Sequence, residues 1–98
     1  MKIIDDMIGR IDEEIDGARE YAEMYIQSKS KGEHTRASKY KDMAGDELRH
    51  ASYLCEFATT DVDYIKKVYS LTVDDDIKWE RAHKRFHERM AMVRQMLA

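Results

Sequence analysis

Proline is absent from this chain of 98 residues, and glycine occurs only four times. Both residues disfavour helix interiors, so a chain with so few of them can form long helices joined by short turns. Charged residues make up 38% of the chain and hydrophobic residues 43%, a balance that suits amphipathic helices around a modest core. The composition therefore predicts one all-α domain over residues 1–98.

Cysteine and long apolar runs are scarce as well. Cys55 is the only cysteine, so no intrachain disulfide can form, which suits a reducing cytoplasm. The N-terminus lacks the hydrophobic region of a signal peptide, and no apolar run approaches the ~18–20 residues that a membrane span needs. We therefore expect a soluble cytoplasmic protein that has no membrane partner.

A concentrated basic patch is also missing. The net charge of −3 arises from interspersed acidic and basic residues, whereas nucleic-acid binders usually cluster their Lys and Arg residues. The most basic stretch, Lys78 to Arg94, also carries Glu80 and Glu88. This mixture favours a solvated helix face over an RNA- or DNA-binding surface, so no nucleic-acid partner is expected.

Apolar residues recur at helical spacing in three segments. The pattern predicts a first helix over about 3–31 that ends at Gly32, and a second over about 33–69, continuous or bent near residue 60. A third helix is predicted over about 73–97 with Thr72 as its N-terminal cap. The apolar face of that third helix comprises Trp79, Phe86, Met90, Val93 and Leu97. The expected fold is an antiparallel helical hairpin plus a third C-terminal helix, pairing with a second copy into a four-helix-type bundle.

Polar residues interrupt the apolar faces of the first two helices. Glu47 and His50 lie three residues apart and therefore on one side of a helix. The apolar residues on that side are Tyr40, Met43, Ala44, Ala51, Leu54 and Ala58. Glu14 interrupts the first helix in the same way, and folding about Gly32 brings it within about one helical turn, roughly 5 Å, of the other two. Since a buried charge is costly unless it is paired or metal-bound, we predict a metal site here.

Two carboxylates and an imidazole are suitable ligands for iron, manganese or zinc. Carboxylate-bridged two-metal sites use a Glu from each of two helices and a Glu-x-x-His from each of two others, and one copy of this chain supplies half of that set. A second copy of the chain, related to the first by a twofold axis, would supply the other half. The hypothesis is a pair of iron ions per dimer, with manganese or zinc as alternatives. Each Glu47 would bridge the metals, each Glu14 would bind one of them, and each His50 would bind through one ring nitrogen.

These residues give the chain a resemblance to the ferritin-like superfamily, especially its short rubrerythrin-like and encapsulated ferritin-like members. The matching features are Glu14, the Glu47-Leu48-Arg49-His50 motif, and Tyr21 seven residues after Glu14. The resemblance covers about residues 8–58. It implies iron binding, oxidation of ferrous iron by oxygen or peroxide, and a place for Tyr21 near the metals. The third helix has no clear counterpart in a full-length bundle, and there is no second sequence half.

Other interpretations of the polar residues stay open. Glu47 and His50 could form a satisfied core pair, with Glu47 bonded to Tyr21, Tyr40 or an arginine. Asp61, Glu80 and His83 could form a separate weak metal site, although surface positions are favoured for them. The remaining polar candidates have structural interpretations: solvent-facing side chains for His34 and His87, and a partly buried core position for Cys55.

The sequence therefore supports two main functions. The first is a homodimeric, or larger, dinuclear iron protein with ferroxidase or peroxide-scavenging activity, in which Tyr21 assists and the metal ions react with oxygen or peroxide. The second is a metal-free helical module that binds another protein, for example a prophage-encoded accessory protein. A nucleic-acid binder acting through the third helix is a distant third.

Overall fold

The structure, a computed structural model, describes all residues from 1 to 98 and contains three helices. Helix α1 spans Lys2–Ser30, α2 spans His34–Val68 and α3 spans Val73–Leu97. No strand is present, which confirms the all-α class. None of the three helices combines the length and the hydrophobicity that a membrane crossing requires.

The two turns use the residues that the sequence indicates. Gly32 has a φ of 76°, a left-handed conformation that glycine adopts without a steric penalty, and it ends α1. At the start of α3, the side-chain oxygen of Thr72 accepts a hydrogen bond of 3.1 Å from the backbone N–H of Asp75. Asp74 and Asp76 add negative charge to the same first turn, where the helix dipole favours it.

Helix α2 passes through its pair of threonines without interruption. The Thr59 hydroxyl donates to the Cys55 carbonyl at 2.8 Å, and the Thr60 hydroxyl donates to the Glu56 carbonyl at 3.2 Å. Each side chain thus bonds to the preceding turn, a pattern that bends a helix slightly but does not end it. The molecule is consequently elongated, with a longest dimension of 54 Å.

Small residues line the contact between α1 and α2. The buried alanines of this contact are Ala18 and Ala22 on α1 and Ala37, Ala44, Ala51 and Ala58 on α2. Because alanine is short, the two helix axes can approach closely over their length. Larger side chains fill the space under α3, including the fully buried Phe86, Ile11 and Ile15.

Helix α3 runs parallel to α1 and is joined to it by ion pairs. Lys78 Nζ lies 2.9 Å from Asp5, Arg85 lies 2.8 Å from Asp12, and Arg89 lies 2.9 Å from the same Asp12. The first two pairs each join residues 73 positions apart, and this constant offset fixes the register of the two helices. Three positive charges of the basic stretch therefore face the acids of α1, and α3 packs mainly on α1 and less on α2.

The buried face of α2 is rotated from the face that the sequence suggested. The core includes Leu48 and Cys55, whereas Met43 is 39% exposed. The reason is that α3 covers one flank of the hairpin, so the α2 residues on that flank are buried. Glu47 therefore lies at the edge of the core, on the flank away from α3, and not at its centre.

Candidate metal centre

The structure brings Glu14, Glu47 and His50 together. One ligand atom from each residue lies within 4.8 Å of the others. His50 Nδ1 is 3.8 Å from Glu14 Oε2, and these side chains are 56% and 32% exposed, respectively. The cluster is open to solvent on the His50 side and half-buried on the carboxylate side, so an ion could enter it without displacing core residues.

The electrostatics of the cluster are those of two acids in close contact. The pKa of Glu47 is raised above its ordinary value, first because Glu14 can share a proton with it, then because Glu47 is partly withdrawn from water, and then by repulsion from the Glu14 charge. His50 opposes this effect, because a nearby positive charge would favour the ionised carboxyl group. Two carboxylates held together without a full counter-charge form a suitable place for a cation.

Gly17 leaves the space that the Glu47 carboxylate occupies. A Cβ atom at position 17 would lie 3.4 Å from Glu47 Oε2, while Gly9 on the same helix has nothing within 4 Å of the corresponding point. Glu47 can therefore lie against the backbone of α1 one turn after Glu14. A larger residue at position 17 would push the carboxylate away from its partners.

The core-pair interpretation of Glu47 is not what the structure displays. Glu47 makes no hydrogen bond to Tyr21, Tyr40 or an arginine; Arg49 pairs with Asp46 instead. Tyr21 is half-buried and stacks on Tyr40, with ring centroids 6.4 Å apart and an angle of 24° between the ring planes. The tyrosine pair belongs to the same flank of the hairpin as Glu14, where it packs without bonding to the acids.

The cluster lies near the middle of an apolar surface, which we call the open face. Its most exposed apolar members are Ile3, Met24, Met43, Phe57, Tyr64 and Val68, each between 39% and 62% exposed. On α2, the positions of this face alternate in steps of four and three: Met43, Glu47, His50, Leu54, Phe57, Asp61, Tyr64 and Val68. On α1, the same alternation runs through Ile3, Met7, Arg10, Glu14, Gly17, Tyr21 and Met24. This spacing is typical of helices that pack against partner helices.

The weak metal site that the sequence left open, with Asp61, Glu80 and His83 as ligands, does not form in the structure. Asp61 and Glu80 are not grouped with His83; His83 lies beside His87 and Cys55. From the sequence, His83 was a candidate only together with Asp61 and Glu80, whereas His87 and Cys55 had purely structural interpretations. The four-residue spacing of His83 and His87 was a usable signal, but the position of Cys55 opposite them depends on how α3 docks.

Comparisons with protein-family models, curated proteins and solved structures gave no match. The resemblance to the ferritin-like superfamily therefore stays a prediction from Glu14, Tyr21 and the Glu47-to-His50 motif. The function is therefore inferred from the geometry of the chain itself.

Proposed function

We propose that this protein is a ferritin-like dinuclear metal protein, in which two copies pair through their open faces and hold two iron ions between them. The observation that carries the proposal is the convergence of Glu14, Glu47 and His50 from two helices. Iron bound there would supply two electrons to oxygen or peroxide, which corresponds to ferroxidase or peroxide-scavenging activity.

The donor set suits such a group. Carboxylate oxygens and an imidazole nitrogen bind iron, manganese and zinc, and bound cations would remove the repulsion between Glu14 and Glu47. The rest of the chain would keep these ligands in position. Gly17 admits the Glu47 carboxylate, and the α1–α2 contact fixes the spacing of the two helices.

One chain supplies only three ligand side chains, fewer than two metal ions need. A twofold axis through the open face would place a second Glu14, Glu47 and His50 opposite the first, because such an interface puts the same residues on both sides. The exposed apolar side chains that flank the cluster would then be buried in the dimer. Helix α3 leaves this face free, since its ion pairs lie on the opposite flank of α1.

Tyr21 is the residue that we propose to assist the reaction. It lies two turns after Glu14 on the open face and stacks on Tyr40, so it would flank the metal ions from one side. Replacing Tyr21 with Phe keeps the stacked ring and removes only the hydroxyl. We expect Tyr21→Phe to retain iron and to oxidise it more slowly.

The experiment is iron loading under air or peroxide of protein purified without chelator. We expect about one iron ion per chain and loss of ferrous iron faster than in protein-free buffer. Glu47→Gln should lose both properties, while the exposed neighbour variant Glu13→Gln should keep them. Iron uptake that is equal in Glu47→Gln and in the unmodified protein would contradict the proposal.

A second function, a metal-free module for binding another protein, is favoured by one observation. Phe57, Tyr64 and Val68 form the part of the open face that extends along the C-terminal half of α2, beyond the acidic cluster, and they are exposed. Exposed apolar surface of this kind marks interaction sites. In that case thermal stability would not respond to chelators or to added metal, which separates the two functions.

A further inference from the structure

A second group of metal-binding side chains lies between α2 and α3. Cys55 comes from α2, and His83 and His87 come from successive turns of α3. One ligand atom from each of the three lies within 4.8 Å of the others. The group is separate from Glu14, Glu47 and His50, with which it shares no residue.

The two imidazoles are placed as ligands of one ion would be. His83 Nε2 and His87 Nε2 are 3.3 Å apart, and their rings are almost perpendicular, at 81°. For metal–nitrogen bonds of about 2.0–2.1 Å and a tetrahedral angle, the expected separation of two ligand nitrogens is roughly 3.3–3.4 Å. Histidines four residues apart on one helix are a recurring source of such a pair.

The surroundings are those of an accessible site. A groove of about 440 Å³ lies over the three side chains, and its wall includes the polar residues Ser52 and Thr59. Cys55 is buried at the base of the groove and its sulfur has no hydrogen-bond partner, while His87 is exposed at the rim. An ion could therefore enter from solvent and reach the thiol.

We propose that Cys55, His83 and His87 form a zinc site that joins α2 to α3. One thiolate and two imidazoles are the soft and borderline ligands that zinc prefers, whereas magnesium and calcium prefer oxygen. The three side chains occupy three tetrahedral positions, and the groove leaves the fourth for water or a small ligand. Binding forms a sulfur–zinc bond and releases the thiol proton of Cys55 to the buffer.

The environment of His83 agrees with this role. Burial, and then the neighbouring His87, lower the pKa of His83, which favours the neutral form of the ring that can bind a metal ion. The site also has a structural consequence, because α3 is attached mainly to α1 and has little contact with α2. A metal ion at this position would add a direct link between α2 and α3, and it would stabilise the fold as any ligand of the folded state does.

The test uses the full chain, stripped of metal under reducing conditions and titrated with cobalt(II), the spectroscopic substitute for zinc. We expect a thiolate-to-cobalt charge-transfer band that saturates at one ion per chain and disappears when zinc is added. Zinc should also raise the melting temperature. The paired variant Glu14→Gln/Glu47→Gln should keep the band, which separates this site from the proposed iron site.

Three variants complete the test. Cys55→Ser, and the double variant His83→Ala/His87→Ala, should lose the band and the zinc-dependent rise in melting temperature. His34→Ala, which changes an exposed histidine at the start of α2, should keep both. Circular dichroism of each variant without metal checks that it is folded. Absence of the band in the unmodified protein, or its survival in the folded double-histidine variant, would overturn the proposal.

Discussion

At the scale of single residues, the most informative side chain is Glu47. It lies against Glu14 without a full counter-charge, and an arrangement of this kind lowers the stability of the metal-free protein. Glu47 also has no tyrosine or arginine partner that would give it a purely structural role. The cost of holding two carboxylates together is therefore consistent with a function at this position.

The first prediction concerns Glu47→Gln in the absence of metal. The pKa of Glu47 is raised in the folded chain, so the folded state keeps its proton at pH values where the unfolded chain has lost it. Stability of the unmodified protein should thus fall as the pH rises from about 4.5 through the raised pKa. Because Gln cannot ionise and so does not repel the Glu14 charge, the variant should become more stable than the unmodified protein at pH 7 by about 0.5 kcal/mol, a magnitude typical of partly exposed charge pairs. Urea unfolding at pH 4 and pH 7 measures this difference, and an equal difference at both pH values would contradict it.

The second prediction concerns Gly17, which admits the Glu47 carboxylate. Glu47 Oε2 lies 3.4 Å from the position of a Cβ atom at residue 17, so the longer side chain of Gly17→Leu should displace the carboxylate. We therefore expect metal binding to weaken at least about tenfold, the usual effect of disturbing the residues that orient ligands. Gly9→Leu makes the same change on the same helix, where nothing lies within 4 Å. Isothermal titration with manganese(II) compares the two. Equal affinities in both variants would show that Gly17 has no part in the site.

At the scale of helices, the attachment of α3 depends on the acids of α1. Asp12 accepts from both Arg85 and Arg89, and Arg89 also pairs with Asp16. Networks of this kind contribute more than isolated surface pairs. They also determine which flank of the hairpin α3 covers, and so leave the open face free.

The third prediction follows from that network. Asp12→Ala should lower the free energy of unfolding by about 1 kcal/mol, and the loss should shrink at high salt because the charges are partly exposed. The control is Asp6→Ala, since Asp6 pairs only with Lys2 of its own helix and is 57% exposed. Chemical unfolding at low and high salt measures both. A loss for Asp12→Ala no larger than that for Asp6→Ala would contradict the assigned role.

The helices were largely predictable from the sequence, because the signals that define them are local. Gly32 and Thr72 mark the turns, and the apolar face predicted for α3, from Trp79 to Leu97, is buried as expected. The face of α2 was less predictable. The buried face of α2 includes Leu48 because of where α3 docks. That docking depends on ion pairs between residues about 73 positions apart, and no local sequence pattern contains such pairs.

The candidate sites were likewise predictable only in part. The approach of Glu14 to Glu47 and His50 was predictable, since an antiparallel hairpin about Gly32 places them at one level. The approach of Cys55 to His83 and His87 was not, because those residues lie on helices whose relative position is set by α1. The rotation of α2 that exposes His50 was missed for the same reason.

At the scale of the whole molecule, the proposed dimer is formed through the open face. The fourth prediction is that Phe57→Glu prevents dimer formation, because it places a charge in an apolar interface. Met92→Glu is the matched control: Met92 is 62% exposed, as Phe57 is, but it lies on α3. Sedimentation or light scattering over a range of concentrations measures the association. If the two variants dimerised equally, the open face would not be the dimer interface.

The most direct test of the account is native mass spectrometry of the iron-loaded protein, which counts chains and metal ions in the same particle. We predict a dimer that contains two iron ions; this iron-loaded dimer should be absent from Glu47→Gln and unchanged in Cys55→Ser. A monomer without bound iron, or a dimer whose iron content is the same in Glu47→Gln, would contradict the claim that Glu14, Glu47 and His50 of two chains hold the metal.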